Sequence, residues 1–108
     1  MEFSNLTSHA IKILNGQGNL VIEVPPSGAV ARVAATSEVV GVVNGVSLFT
    51  TQFGEVDGLP EAQEGVIFIT SLLVRSAVPD RRDVASPGEL VRDSAGQPMG
   101  CKGLSVNR

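Results

Sequence analysis

The chain has 108 residues and a net charge of −3, with 43% hydrophobic residues, 12 Gly, 6 Pro, no Trp or Tyr, one His and one Cys. A chain of this length usually forms one domain with its own core, so we expect a single domain over residues 1–108. One cysteine excludes an internal disulfide, and no apolar run approaches the roughly 20 residues of a membrane-spanning helix. No signal-like segment opens the chain, which favours the cytoplasm, where a lone thiol stays reduced.

The charge is divided unevenly along the chain. Residues 1–74 carry two basic and seven acidic side chains, whereas residues 75–108 carry six basic and four acidic ones. In the second part the two signs are interleaved, which indicates local ion pairing. The acidic balance and the lack of Tyr and Trp argue against general nucleic-acid binding, but a few Arg side chains around one pocket suffice for a small anion.

Turn residues recur about every 8 to 12 positions, which is typical of short strands joined by tight turns. We therefore predict a mostly β fold, with hairpins that form a small barrel or a sandwich and one short α-helix near residues 71–78. A first hairpin joins residues 10–14 to residues 20–24, and residues 29–35 resume an extended pattern after a Pro-Pro-Ser-Gly stop.

Asn44-Gly45 between two β-branched runs is the clearest hairpin signal, because both residues tolerate the positive φ angles of a type I′ turn. Residues 53–60 contain two glycines and predict a loop. The apolar run 66–70 predicts a central strand that is buried on both faces.

Ser71 is placed to cap a short helix over residues 72–78, which a proline ends. Residues 79–88 predict a loop. Residues 90–93 and 99–104 predict a last hairpin.

The sequence offers little for metal or nucleophilic chemistry. His9 and Cys101 are the only residues of their types, whereas a metal site usually needs three or four His, Cys or carboxylate ligands. Cys101 with His9 as its base is the best nucleophilic pair available, but a lone Cys between glycines is more often a packed residue. We therefore expect no metal, no cofactor and no catalytic residue.

Arginines carry the best signal for a ligand. Arg32 is the only cation between Lys12 and Arg75, and it interrupts a run of small apolar residues. It must face solvent, meet an acid or bind an anion, because burying it alone is costly. Arg81 and Arg92 either present guanidinium groups to a phosphate or carboxylate, or pair with neighbouring acids.

A family resemblance spans nearly the whole chain. It is carried by Asn5-Leu6-Thr7 with His9, Pro25-Pro26-Ser27-Gly28 with Ala31-Arg32, Phe53-Gly54 with Gly58-Leu59-Pro60, Ser71, Pro79 with Arg81 and Asp83, and Val91-Arg92-Asp93. Together these segments resemble a family of small phage and prophage proteins that begin Asn-Leu-Thr-Pro-His. This chain departs from that opening at Ser8. The resemblance implies a phage setting, hence the host cytoplasm, and a common site.

Compact phage proteins of this size often act as oligomeric sponges for nucleotide immune signals. By this analogy we expect a non-catalytic protein that sequesters a cyclic nucleotide or an ADP-ribose-type molecule and so blocks host anti-phage defence. Such a site needs polar groups for base and ribose, and Arg or backbone N–H groups for phosphate. The candidate ligand-binding residues are Asn5, Thr7, His9, Arg32, Phe53, Ser71, Arg81 and Arg92.

Two other functions stay open at this level. A small nucleotide-degrading enzyme would use His9 as acid or base, with Arg32 or Arg92 stabilising phosphate charge. A virion or assembly component would use exposed strand edges for protein contacts. We also expect a homo-oligomer, because the many Val, Ile and Leu residues exceed what one small core readily hides.

Overall fold

The computed structural model describes residues 1–108 as eight β-strands and one short α-helix. The strands are β1 (Glu2–Asn5), β2 (Ile11–Leu14), β3 (Leu20–Val24), β4 (Arg32–Val43), β5 (Val46–Asp57), β6 (Val66–Ile69), β7 (Val84–Arg92) and β8 (Pro98–Val106), and helix α1 covers Leu72–Ala77. The predicted mostly β fold with one short helix is therefore confirmed. α1 has only six residues, and the chain contains no helix that could span a membrane.

Six strands form a sheet in the order β1-β6-β7-β8-β2-β3. The β2–β3 and β7–β8 pairs are antiparallel hairpins, whereas β1–β6, β6–β7 and β8–β2 are parallel. The two outer strands, β1 and β3, approach each other, and an isolated parallel bridge joins Asn5 to Pro26 just beyond β3. The sheet is thus a nearly closed small barrel.

β6 is the central strand that the apolar run predicted. Phe68 and Ile69 are 2% and 0% exposed, and they belong to two different apolar clusters because successive strand residues point to opposite faces. The first cluster contains Leu6, Ala31, Phe68 and Val74. The second contains Ile13, Val24, Ile69 and Cys101, so the lone cysteine is a packed core residue.

The local signals with a specific physical cause are confirmed. Asn44 and Gly45 have φ angles of 51° and 78°, as the turn between β4 and β5 requires. Ser71 is the N-cap of α1, and its hydroxyl oxygen accepts a hydrogen bond from the backbone N–H of Val74.

The two predicted loops are wrong in part, because Gly54, Pro87 and Gly88 lie inside strands. β5 continues to Asp57, and Gly54 within it lies against Ala34 of the paired strand. β7 begins at Val84, where residues 79–88 predicted a loop. A side chain at Gly88 would clash with the backbone carbonyls of β8, so this glycine permits a close approach of two strands.

β4 and β5 form a separate two-stranded sheet that extends from the barrel. Its base is held by Val33 and Val56, which pack against the first cluster. We call residues 35–53 the arm. The radius of gyration is 16.5 Å, well above the roughly 13 Å of a compact chain of this length, because the arm projects away from the core.

Gly100 in β8 provides a test of the barrel. It has a φ of 151°, and a Cβ there would lie 2.6 Å from the carbonyl oxygen of Lys12, at the β2–β8 contact. We expect Gly100→Ala to lower the free energy of unfolding by about 2 kcal/mol, measured by urea denaturation. Gly16→Ala is the matched control, because a Cβ at that turn meets nothing within 4 Å. Equal stability of the two variants would contradict the β2–β8 contact.

Candidate functional site

A pocket of about 350 Å³ lies where the barrel meets the base of the arm. Its walls come from the loop after β1, from residues 30–33 and from the start of α1. The apolar lining consists of Leu6, Val30, Ala31, Val33, Leu73 and Val74, and the polar lining consists of Thr7, Ser8, Arg32 and Ser71. Three of the predicted ligand-binding residues, Thr7, Arg32 and Ser71, therefore come together here.

Asn5 lies behind this lining and is 1% exposed. Its Oδ1 accepts hydrogen bonds from the backbone N–H of Thr7 at 2.9 Å and from the Thr7 hydroxyl at 2.6 Å. Its Nδ2 donates to the carbonyl oxygens of His9 at 2.8 Å and Val24 at 3.0 Å. Both donors and both acceptor positions of the amide are used within the protein. Asn5 therefore shapes the β1–β2 loop and ties it to β3.

Backbone hydrogen bonds connect the loop after β1 to β6 and to the segment that precedes β4. The N–H of Leu6 donates to the carbonyl of Ile69 in β6, and the carbonyl of Leu6 accepts from the N–H of Ala31. The N–H of Ser27 donates to the carbonyl of Asn5. The segment that carries Arg32 is thus fixed to the closing point of the barrel.

Arg32 is exposed at this pocket, and its side chain forms no hydrogen bond and no salt bridge. The single salt bridge of the chain joins Arg81 to Asp83. Asp57 is the register partner of Arg32 on β5, but the two charges are not in contact. A guanidinium offers five N–H donors in a planar fork that matches a phosphate or carboxylate. Arg32 is therefore available to bind an anion.

The hydroxyl groups have structural partners but retain capacity for a ligand. Ser71 Oγ accepts from the Val74 N–H at 3.3 Å, which leaves its own proton free to donate. The Thr7 hydroxyl lies within hydrogen-bond distance of Asn5 Oδ1 and of the His9 carbonyl, and its single proton serves one at a time. Its oxygen can still accept a hydrogen bond.

The other predicted residues do not line the pocket. The His9 side chain is exposed, and only its carbonyl takes part in the loop. Phe53 lies on the arm opposite Ala35, and Arg92 donates to the Gly96 carbonyl in the β7–β8 turn.

Arg81 forms an ion pair instead of an open anion site. Its Nε and Nη2 donate to the two carboxylate oxygens of Asp83 at 2.8 and 2.9 Å, and Nη2 also donates to the Pro60 carbonyl. The hydrogen bond from Arg81 lowers the pKa of Asp83 below its ordinary value, and the same bond raises the pKa of Arg81. Of the two alternatives for Arg81, an anion site or pairing with a neighbouring acid, the structure shows the pairing.

Sequence reasoning missed Ser8 and the apolar walls at Val30 and Leu73. No local pattern marks them, because segments far apart in sequence meet only when the barrel closes. Comparisons with known protein families, with curated proteins and with solved structures find no match to this chain. The pocket is therefore defined by its geometry alone.

We expect Asn5→Ala to lower the free energy of unfolding by about 2–4 kcal/mol, because it removes the partner of the buried Val24 carbonyl and of the part-buried Thr7 N–H, and one hydrogen bond to the His9 carbonyl. Urea denaturation measures this change. Asn19→Ala is the control, since Asn19 is exposed and only its backbone N–H and carbonyl, not its side chain, are hydrogen-bonded. A loss of less than about 0.5 kcal/mol in Asn5→Ala would show that this amide does not hold the loop to β3.

Proposed function

We propose that this chain binds a small anionic, nucleotide-like ligand in the pocket beside Arg32 and holds it without chemical change. In the phage setting that the sequence resemblance implies, an oligomer of the protein sequesters a nucleotide-derived immune signal in the host cytoplasm. The ligand class is a cyclic nucleotide or an ADP-ribose-type molecule, and its removal blocks anti-phage defence. The observation that carries the proposal is an unpaired guanidinium beside a pocket with apolar walls.

The lining has the parts that such a ligand needs. Apolar walls accept the face of a base, the hydroxyls of Thr7 and Ser71 meet ribose oxygens, and Arg32 meets phosphate. The volume of about 350 Å³ lies near the lower end of the range for small-molecule sites. A larger signal would extend from the open pocket, where a second copy in an oligomer can supply further contacts.

The same lining favours binding over catalysis. A general acid or base works best with a pKa near the operating pH, and an Arg side chain stays protonated. The polar lining consists of one Arg and three hydroxyls, and the His9 side chain is not among them. This supports a sequestering protein more than a nucleotide-degrading enzyme.

Calorimetric titration with a panel of cyclic dinucleotides and ADP-ribose cyclisation products tests the proposal. We expect at least one of them to bind, and Arg32→Gln to weaken that binding by about 10- to 100-fold, because one charge-assisted hydrogen-bonded contact is lost. Arg92→Gln is the control: it removes the same charge from another exposed Arg and should leave the affinity nearly unchanged.

Two outcomes of the same experiment contradict the proposal. The first is binding no tighter than about millimolar across the panel. The second is a changed mass for the bound molecule after release by denaturation, which would establish an enzyme. A sequestering protein returns its ligand intact.

A further inference from the structure

The arm has no covering partner within the chain. Its large apolar side chains, which are between 44% and 64% exposed, are Val39, Val40, Val42, Val43, Val46, Leu48, Phe49 and Phe53. These side chains are divided between the two faces of the arm, and no other strand or helix of the chain covers them. An isolated two-stranded hairpin is marginal in water, so the arm is expected to gain stability from further packing.

Both faces of the arm are apolar in part. Phe49 pairs with Val39 across the two strands, and Leu48 pairs with Gly41 on the opposite face. The arm therefore lacks the solvated polar face of an ordinary surface hairpin.

The two outer edges of the arm differ. The β4 edge contains Glu38 and an irregularity between Val39 and Gly41, both of which hinder the addition of another strand. The β5 edge over residues 46–53 has no charged residue, no proline and no register shift on its own strand. The β5 edge lacks the features by which native proteins prevent an exposed edge strand from pairing with another chain, so it is the edge that can accept a further strand.

We propose that the β5 edge pairs antiparallel with β5 of a second copy of this chain, about a two-fold axis near Thr50. The two arms then form a four-stranded sheet with β5 strands at its centre and the β4 strands outside. A second copy fits because an uncharged edge meets itself without repulsion, and a two-fold axis uses the same surface on both partners. A nucleic acid or a charged peptide would require complementary charges, which residues 39–54 do not have.

This inference rests on the oligomeric part of the proposed function and not on its ligand. If the protein binds no nucleotide, the ligand proposal fails and the paired arms are unaffected. If the protein binds a nucleotide but is a monomer, the paired arms are ruled out and the ligand pocket is unaffected.

Light scattering after size exclusion, at about 10 µM protein, tests the interface. The wild-type chain should have at least twice the mass of one chain, and Leu48→Lys or Phe49→Lys should lower it to a smaller species. Val21→Lys is the matched control, because Val21 is a 64% exposed apolar residue of β3, away from the arm. Urea denaturation of each variant confirms that the barrel is folded.

Cysteine crosslinking tests the edge itself, since the natural Cys101 is buried and gives little background. Mild oxidation should link two copies through Thr50→Cys or Thr51→Cys, which lie near the proposed axis. It should not link them through Ser37→Cys, which is the register partner of Thr51 on β4.

A wild-type monomer at about 10 µM would overturn the proposal. So would an unchanged mass in both arm variants. Crosslinking through Ser37→Cys but through neither position on β5 would do the same, because it would place the interface on the other edge.

Discussion

β1 and β3 are the two outer strands of the sheet, and no continuous strand pairing connects them. The side-chain amide of Asn5 connects them instead, by a hydrogen bond to the carbonyl of Val24. The amide uses one donor on the β3 carbonyl and its remaining capacity on the loop that follows β1. The next residue, Leu6, transmits this closure to the segment that carries Arg32. The contacts that close the barrel are therefore the same contacts that build the pocket. The buried Asn5 amide can stabilise them because all of its donors and acceptors have partners, whereas a buried amide with a missing partner would be destabilising.

Much of the fold could be predicted, because its turns and caps are determined by single residues with a specific role. Asn44-Gly45 sets a turn, and Ser71 sets a helix start, wherever the rest of the chain lies. The errors at Gly54 and Gly88 share a different cause. Both glycines lie within strands, Gly88 where two strands approach closely and Gly54 in ordinary contact with Ala34, and the sequence alone does not distinguish a strand glycine from a turn glycine.

The site was predictable only in part, for a related reason. Arg32 stood out as a cation among small apolar residues, and it does lie at the pocket without a partner. Asn5 was predicted to contact the ligand, but its amide is fully used inside the protein. Arg81 is held by Asp83. Residue type indicates what a side chain can bind, whereas the fold decides whether that capacity remains available to a ligand.

Hydrogen exchange at the closing point of the barrel tests this account most directly. The backbone N–H groups of Ser27 and Ala31 donate to the carbonyls of Asn5 and Leu6, whereas β7 and β8 are held by their own ladder. In Asn5→Ala, the account predicts that exchange at Ser27 and Ala31 accelerates by at least about tenfold more than exchange within the β7–β8 ladder. An equal acceleration at all of these positions, or none, would contradict the claim that Asn5 closes the barrel and builds the pocket.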